Sequence, residues 1–183
     1  MNIRPTPLEG VLLVDTARRL DQRGAFARFF CDQELAAVLG PRQVVQINHS
    51  STWEIGAVRG LHYQYPPHAE MKFVRCLRGR VWDVAVDLRR SSPSFLKWHA
   101  EELSPEHATM LVIPEGCAHG FQVLEAESEL LYLHTAHYEK SAEGGVRHDD
   151  PRLGIHWPLP VTDLSERDRS HPLLDTTFPG VHA

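Results

Sequence analysis

Thirteen prolines and twelve glycines are spread as punctuation along a chain of 183 residues, so the runs between them are short. Neither residue suits a helix interior, whereas turns between strands favour both. The runs with strand character are 11–14, 26–30, 43–48, 57–63, 72–77, 80–88, 96–103, 109–113, 119–124 and 130–136. Two of them alternate with period two, as half-buried strands do. In VWDVAVDL, Val81, Asp83, Ala85 and Asp87 face one way, and Trp82, Val84, Val86 and Leu88 the other. In KFVRCLRG, Phe73, Arg75 and Leu77 oppose Lys72, Val74 and Cys76. The Arg78-Gly79-Arg80 step between these runs reads as a hairpin turn. Only Asp32–Leu39 reads as a helix, with Asp32 as its N-cap. Ten short strands with turn signals between them predict an all-β sandwich or barrel with a few short helices.

The length is that of a single domain, 1–183, with a core over about 5–160. The polar, Pro-rich tail over 161–183 is expected to be irregular apart from a helical turn near Ser165–Asp168. A net charge of −5 and a pI near 6.2 argue against generic binding to nucleic acid or to an anionic membrane. They leave room for a local basic pocket. No apolar run approaches the ~20 residues that span a bilayer. MNIRPTPLEG lacks the charged-then-apolar pattern of a secretory signal, and the expected location is the cytosol. Cys31, Cys76 and Cys117 are odd in number, show no CxxC spacing, and read as small buried hydrophobes in a reducing compartment.

Twelve histidines need sorting. His99, His107, His148, His156, His171 and His182 lie beside prolines, charges or loop signals and read as surface residues. His62 in RGLHYQ and His119 in IPEGCAHGF lie in apolar, strand-like settings. Pro114, Gly116 and His119 form PxGxxH, which resembles a half-motif of the metal-binding cupins. Its other half would want two histidines one residue apart. Here it is His62-Tyr63-Gln64, and glutamine is a poor ligand for a transition metal, so no metal site is expected. Acid–base chemistry fits better. On a strand, Arg59, Leu61 and Tyr63 share one face, and Gly60, His62 and Gln64 the other. Lys72 opens the run after PPHAE and faces either the same interior or water. Tyr132 alternates with Leu130 and His134 and is either a core tyrosine or a reactive one. Together, His62, Lys72 and Tyr132 suit proton abstraction beside a carbonyl: an imidazole takes the proton, an ammonium holds the enolate oxygen, and a phenol returns a proton from the other face. There is no GxGxxG and no P-loop, so no cofactor is expected.

RGLHYQ, MKFVRCLRG, DVAVDLR, SPSFLKW, IPEGCAHGF, LLYLHTAHY and DDPRLGIHWP stand in one order and at one spacing. Over about residues 5–170 they resemble the dTDP-4-dehydrorhamnose 3,5-epimerase family. That resemblance implies a cupin-type jelly roll, a metal-free homodimer, and inversion of carbon 5 and carbon 3 of a dTDP-linked 4-keto-6-deoxy sugar. It implies His62 as base, Asp168 as the carboxylate that orients it, Lys72 at the enolate and Tyr132 as opposite-face donor. It implies Tyr138 stacked on thymine, and substrate contacts from Arg23, Gln46, Asn48, Arg59, His119, Glu143 and Arg167. An N-terminal segment that reaches a partner's sheet would carry Arg23 and Phe26 to the neighbouring site; otherwise Phe26 packs in its own core. The sequence departs from the family pattern at Arg28, a nucleotide-side position where some members are acidic, and at Ala25, Cys117, His148 and Arg167. Three alternatives remain open: a non-catalytic nucleotide-sugar-binding cupin, a single-carbon epimerase, and a metal-dependent cupin isomerase or dioxygenase.

Overall fold

The alternation in VWDVAVDL is realised in a computed structural model that describes residues 1–182. Val81, Ala85 and their row point into a core between two sheets, and Val84 and Val86 pack on the outside beneath the C-terminal segment. The larger sheet has six strands in the order β1 (Asn2–Pro5), β2 (Leu12–Asp15), β10 (Thr109–Ile113), β7 (Lys72–Arg78), β12 (Ser128–His134), β5 (Gln46–Thr52). The smaller has five, in the order β13 (Glu143–Gly145), β6 (Val58–Gln64), β11 (Cys117–Val123), β8 (Val81–Asp87), β9 (Trp98–Leu103). Each neighbouring pair in both sheets is antiparallel. The result is an all-β, cupin-like jelly-roll sandwich. Leu13, Val74, Leu111 and Leu130 of the larger sheet meet Ala85, Leu103, Phe121 and Val123 of the smaller one.

All ten expected runs overlap a strand, though 26–30 shares only two residues with β4 and 43–48 only three with β5. Three further strands had no hydrophobic signal to show them. β1 and β3 (Arg18–Asp21) are exposed along their length, and β13 is three residues with two glycines. Such edge strands are held by backbone pairing rather than by a buried face. β3 pairs only with β4 (Gly24–Ala27), as a hairpin that joins neither main sheet.

Several expectations are corrected. Arg78-Gly79-Arg80 is not a hairpin: β7 pairs with β10 and β12, and β8 with β11 and β9, so the step carries the chain from one sheet to the other. Gly79 turns that corner at φ +72°, where a Cβ would lie 2.4 Å from Ser128 Oγ. The helix α1 spans only Ala36–Leu39 and follows Leu35, with no side-chain cap. Asp32 accepts from the next amide, that of Gln33, and is too far upstream to cap it. Leu35 and Leu39 of this segment, with Phe30, cover the outer face of the larger sheet around Phe73 and Met110. Cys76 and Cys117 are buried, but Cys31 is only half-buried. The tail is irregular except for α2 (Glu166–Ser170), yet it packs: Leu174, Phe178 and Val181 join Leu153 and Trp157 over the smaller sheet.

Candidate active site

A cavity of about 560 Å³ opens between the two sheets. The larger sheet contributes Asn48 and Ser50 of β5, Lys72 of β7, and Tyr132 and His134 of β12. The smaller contributes Arg59 and His62 of β6 and His119 and Phe121 of β11, while Arg167 and Asp168 reach in from α2. His62 and Tyr132 therefore stand on facing sheets.

Strict alternation puts Arg59 and His62 on opposite faces, but both line the cavity. The reason is a β-bulge. Phe121 and His119, two residues apart on β11, pair with Arg59 and His62, three apart on β6. One extra residue shifts the side-chain phase. The bulge needs glycine on both strands. Gly60 has φ +124°, and a Cβ there would come 2.5 Å from Gly120 Cα. Leu61 and Tyr63 then face outward into the second core cluster.

Ser165 caps α2 by accepting from the Asp168 amide at 3.1 Å, and Asp168 is the buried residue of that helix. Its Oδ1 lies 2.6 Å from His62 Nε2, and its Oδ2 accepts from the Gly60 amide at 3.3 Å. Burial alone would push this carboxyl up. The hydrogen bonds from His62 and Gly60, with the capping serine, outweigh it and hold the carboxyl at about 2. An ionised carboxylate only accepts, so His62 Nε2 carries the proton and Nδ1 is left free. Arg167 comes within 3.0 Å of the same Nε2, which as an N–H cannot accept from it; the guanidinium donates instead to Asp168 Oδ1 at 3.4 Å and to Glu143 at 2.9 Å.

Lys72 is buried. Its ammonium donates to the His62 carbonyl at 3.1 Å and pairs with Glu70 at 3.2 Å. Tyr132 OH and Ser50 Oγ share a hydrogen bond at 2.9 Å. Burial pushes the Tyr132 phenol up; the Ser50 bond opposes this and nearby Asp83 adds to it. The group therefore stays a protonated phenol at neutral pH. His119, also buried, bonds Asp83 at 2.8 Å and presents its ring to the edge of Tyr132 at 6.0 Å. Arg59 bonds Thr52 at 2.8 Å and the Ser51 carbonyl at 3.4 Å, and no carboxylate pairs with it among the described residues.

Gln46, Tyr138 and Glu143 form a rim beside the cavity. The Tyr138 amide donates to Gln46, its hydroxyl to Glu143, and Glu143 holds Arg167. Arg23, Phe26 and Arg28 lie elsewhere, on or next to the β3–β4 hairpin. Arg23 pairs with Asp21 and Arg28 with Glu34. Phe26 is 68% exposed, which overturns the alternative that it packs in its own core.

His99, His148 and His171 are half-buried, not surface residues. His171 packs edge-on to His62, with ring centroids 6.1 Å apart, beneath Gly145, where a Cβ would strike its ring. Among the described residues, His62, Asp168 and His171 are the one group close enough to share a metal ion. The Arg167 guanidinium already brings a positive charge to that corner, which disfavours a second cation. Glu70 and Ser50 escaped sequence reasoning because His134 and Tyr132, which they bond, lie 64 and 82 residues away in the chain. His134 was signalled by its alternation with Tyr132.

A family profile described as dTDP-4-dehydrorhamnose 3,5-epimerase matches residues 5–176. The chain is 42% identical over 169 residues to the dTDP-4-dehydrorhamnose 3,5-epimerase of Shigella flexneri, covering 92% of this chain and 93% of that one. It is 37% identical to a dTDP-4-dehydrorhamnose 3-epimerase of Streptomyces niveus, covering 95% and 84%. It superposes with a TM-score of 0.91 and 34% identity on the crystal structure of a Legionella pneumophila dTDP-6-deoxy-D-glucose-3,5-epimerase in complex with dTDP-4-keto-L-rhamnose, covering 100% and 98%.

Proposed function

The chain belongs to the dTDP-4-dehydrorhamnose 3,5-epimerase family, and on that premise we propose that it inverts carbon 5 and carbon 3 of a dTDP-linked 4-keto-6-deoxyhexose. The observation that carries the reading is the separation of His62, backed by Asp168, from Tyr132 across one cavity, with Lys72 beside them. His62 takes the proton from the carbon next to the ketone at its free Nδ1. Asp168 holds the ring and stabilises the imidazolium that forms. The electron pair moves to the ketone oxygen, where the Lys72 ammonium meets the developing charge. Tyr132 returns a proton to the same carbon from the opposite sheet, and the change of face inverts it. The first inversion leaves His62 protonated and Tyr132 as a phenolate; exchange with solvent resets both, and a second round at the other carbon gives the double epimer.

The pyrophosphate is assigned to Arg59, which has no competing carboxylate, with Arg167 at the cavity edge. Gln46, Asn48, His119 and Glu143 supply polar contacts, and Tyr138, 53% exposed at the rim, offers a flat ring to the base. Homodimer assembly belongs to the same reading. The β3–β4 hairpin exposes Leu20 (75%) and Phe26 (68%), an apolar tip that a partner's cavity would cover. Arg23, Phe26 and Arg28 then act on the neighbouring site. No helix among the described residues is long and apolar enough to cross a membrane, and we place the enzyme in the cytosol.

The test is proton NMR of dTDP-4-keto-6-deoxyglucose with the protein in heavy water, following the ring hydrogens at carbons 3 and 5 separately. Loss of both signals with inversion supports the reading. Exchange at one carbon alone makes the chain a mono-epimerase, and no exchange at either leaves only a binding protein.

A further inference from the structure

Lys72 is 7% exposed, and an ammonium so buried is costly unless it is paired. Its first N–H goes to the His62 carbonyl and its second to Glu70 Oε1, which leaves one of three for a ligand. The Glu70 side chain is itself only 8% exposed, although the residue lies in the loop between β6 and β7. Its second oxygen accepts from His134 Nδ1 at 2.7 Å. That bond makes Nδ1 the protonated nitrogen of His134 and leaves Nε2 to accept from the Asn48 amide at 3.3 Å. Asn48 Oδ1 in turn accepts from Gln46, also at 3.3 Å. The hydrogen bonds thus run in one direction, from Gln46 at the rim through Asn48 and His134 to Glu70, which also accepts from the ammonium. Burial pushes the Glu70 carboxyl up, but His134 and Lys72 outweigh it and keep it below its ordinary value, so Glu70 is an anion here.

We propose that Glu70, anchored by His134, is a positioning residue that keeps Lys72 charged and turned toward the cavity; its catalytic meaning rests on the role given to Lys72 above. Without Glu70 the ammonium would keep one neutral acceptor and face a wall that already carries Arg167 and Arg59. The remaining titratable groups that line the cavity are His62, His119, Asp163 and Asp168 on the side of the smaller sheet and His49, Tyr132 and His134 on the larger. Of the two carboxylates among these, Asp168 is engaged by His62 and Asp163 makes no ion pair with Lys72, so Glu70 is the counter-charge in contact with the ammonium.

The chain has three lysines, Lys72, Lys97 and Lys140, so the side-chain signals of each can be followed in 13C-lysine-labelled protein. In Glu70→Gln the midpoint of the Lys72 signals is expected about one to three pH units below that of the parent, the size of a lost neighbouring charge. Lys97 and Lys140 stay where they were. The alkaline limb of kcat for exchange in heavy water moves in the same direction, with KM little changed. A merely structural role would lower kcat and leave both the midpoint and the limb in place, and that result overturns the proposal. Should the glutamine variant not fold, Glu70→Ala carries the same measurement, and formate added to it restores the midpoint. The two readings separate cleanly. A parent that exchanges, with a variant whose midpoint is unmoved, sinks only the Glu70 proposal. A parent that never exchanges, with a midpoint that moves, sinks the epimerase reading and leaves the Glu70–Lys72 coupling supported.

Discussion

Asp168 Oδ1 lies 2.6 Å from His62 Nε2, although 106 residues separate the two in the chain. The contact joins the C-terminal helix to a central strand of the smaller sheet, and it sets which ring nitrogen can act as a base. Asp168→Asn would present an amide where the ring needs an acceptor and would favour the wrong tautomer. It is expected to lower kcat for exchange about 10²- to 10⁴-fold, the usual span for general base catalysis, with little effect on KM. Steady-state exchange kinetics check this; a loss confined to KM would argue for a binding role.

The same contact makes a prediction about acid stability. The Asp168 carboxyl sits at about 2, against an ordinary 3.8. A carboxyl depressed by folding adds stability above its unfolded value and loses it as the pH falls through its folded one. The contribution is about 2 kcal/mol, complete above pH ~4 and gone below pH ~2. Melting temperatures of the parent should therefore converge on those of Asp168→Asn across that window. Parallel curves would show that the carboxylate is not coupled to folding.

Tyr132→Phe keeps the ring and removes the proton. It should continue to exchange deuterium at the acidic carbon while inversion falls by at least about 10²-fold. Separate integration of exchange and of product stereochemistry measures the two. Equal loss of both would mean that Tyr132 acts before the enolate forms.

Gly60→Ala tests the bulge. A methyl group at φ +124° would meet Gly120 Cα at 2.5 Å, so the two strands must part. The backbone conformation alone costs about 1–3 kcal/mol, and the clash adds to it. Reduced melting temperature should come with weaker substrate binding, because Arg59 keeps its place on the cavity side only through the extra residue. Unchanged binding in a destabilised variant would separate the bulge from the site.

Much of this was legible in the residues. Period two in VWDVAVDL and KFVRCLRG sorted Asp83 with Ala85, and Lys72 with Val74, because a pleated strand turns alternate residues to the same face; which of the two faces lies inward was left to the fold. His62, Tyr132 and Asp168 came forward through the chemistry of their side chains and the order of the blocks around them. The face of Arg59 did not, since strict alternation has no place for an inserted residue. The Arg78-Gly79-Arg80 step failed for a related reason: a glycine at positive φ serves a two-strand hairpin and a crossing between sheets equally well.

The residues of this chain, taken in order, determined that short β-strands would dominate and which groups can take, hold and return a proton. Only the tertiary structure decided that His62 and Tyr132 face each other from different sheets, that Asp168 reaches His62, and that Glu70 and His134 lie behind Lys72. Periodicity along a strand is local and follows from the backbone. Which strands become neighbours depends on how two sheets bury their apolar faces together, and that is a property of the whole fold.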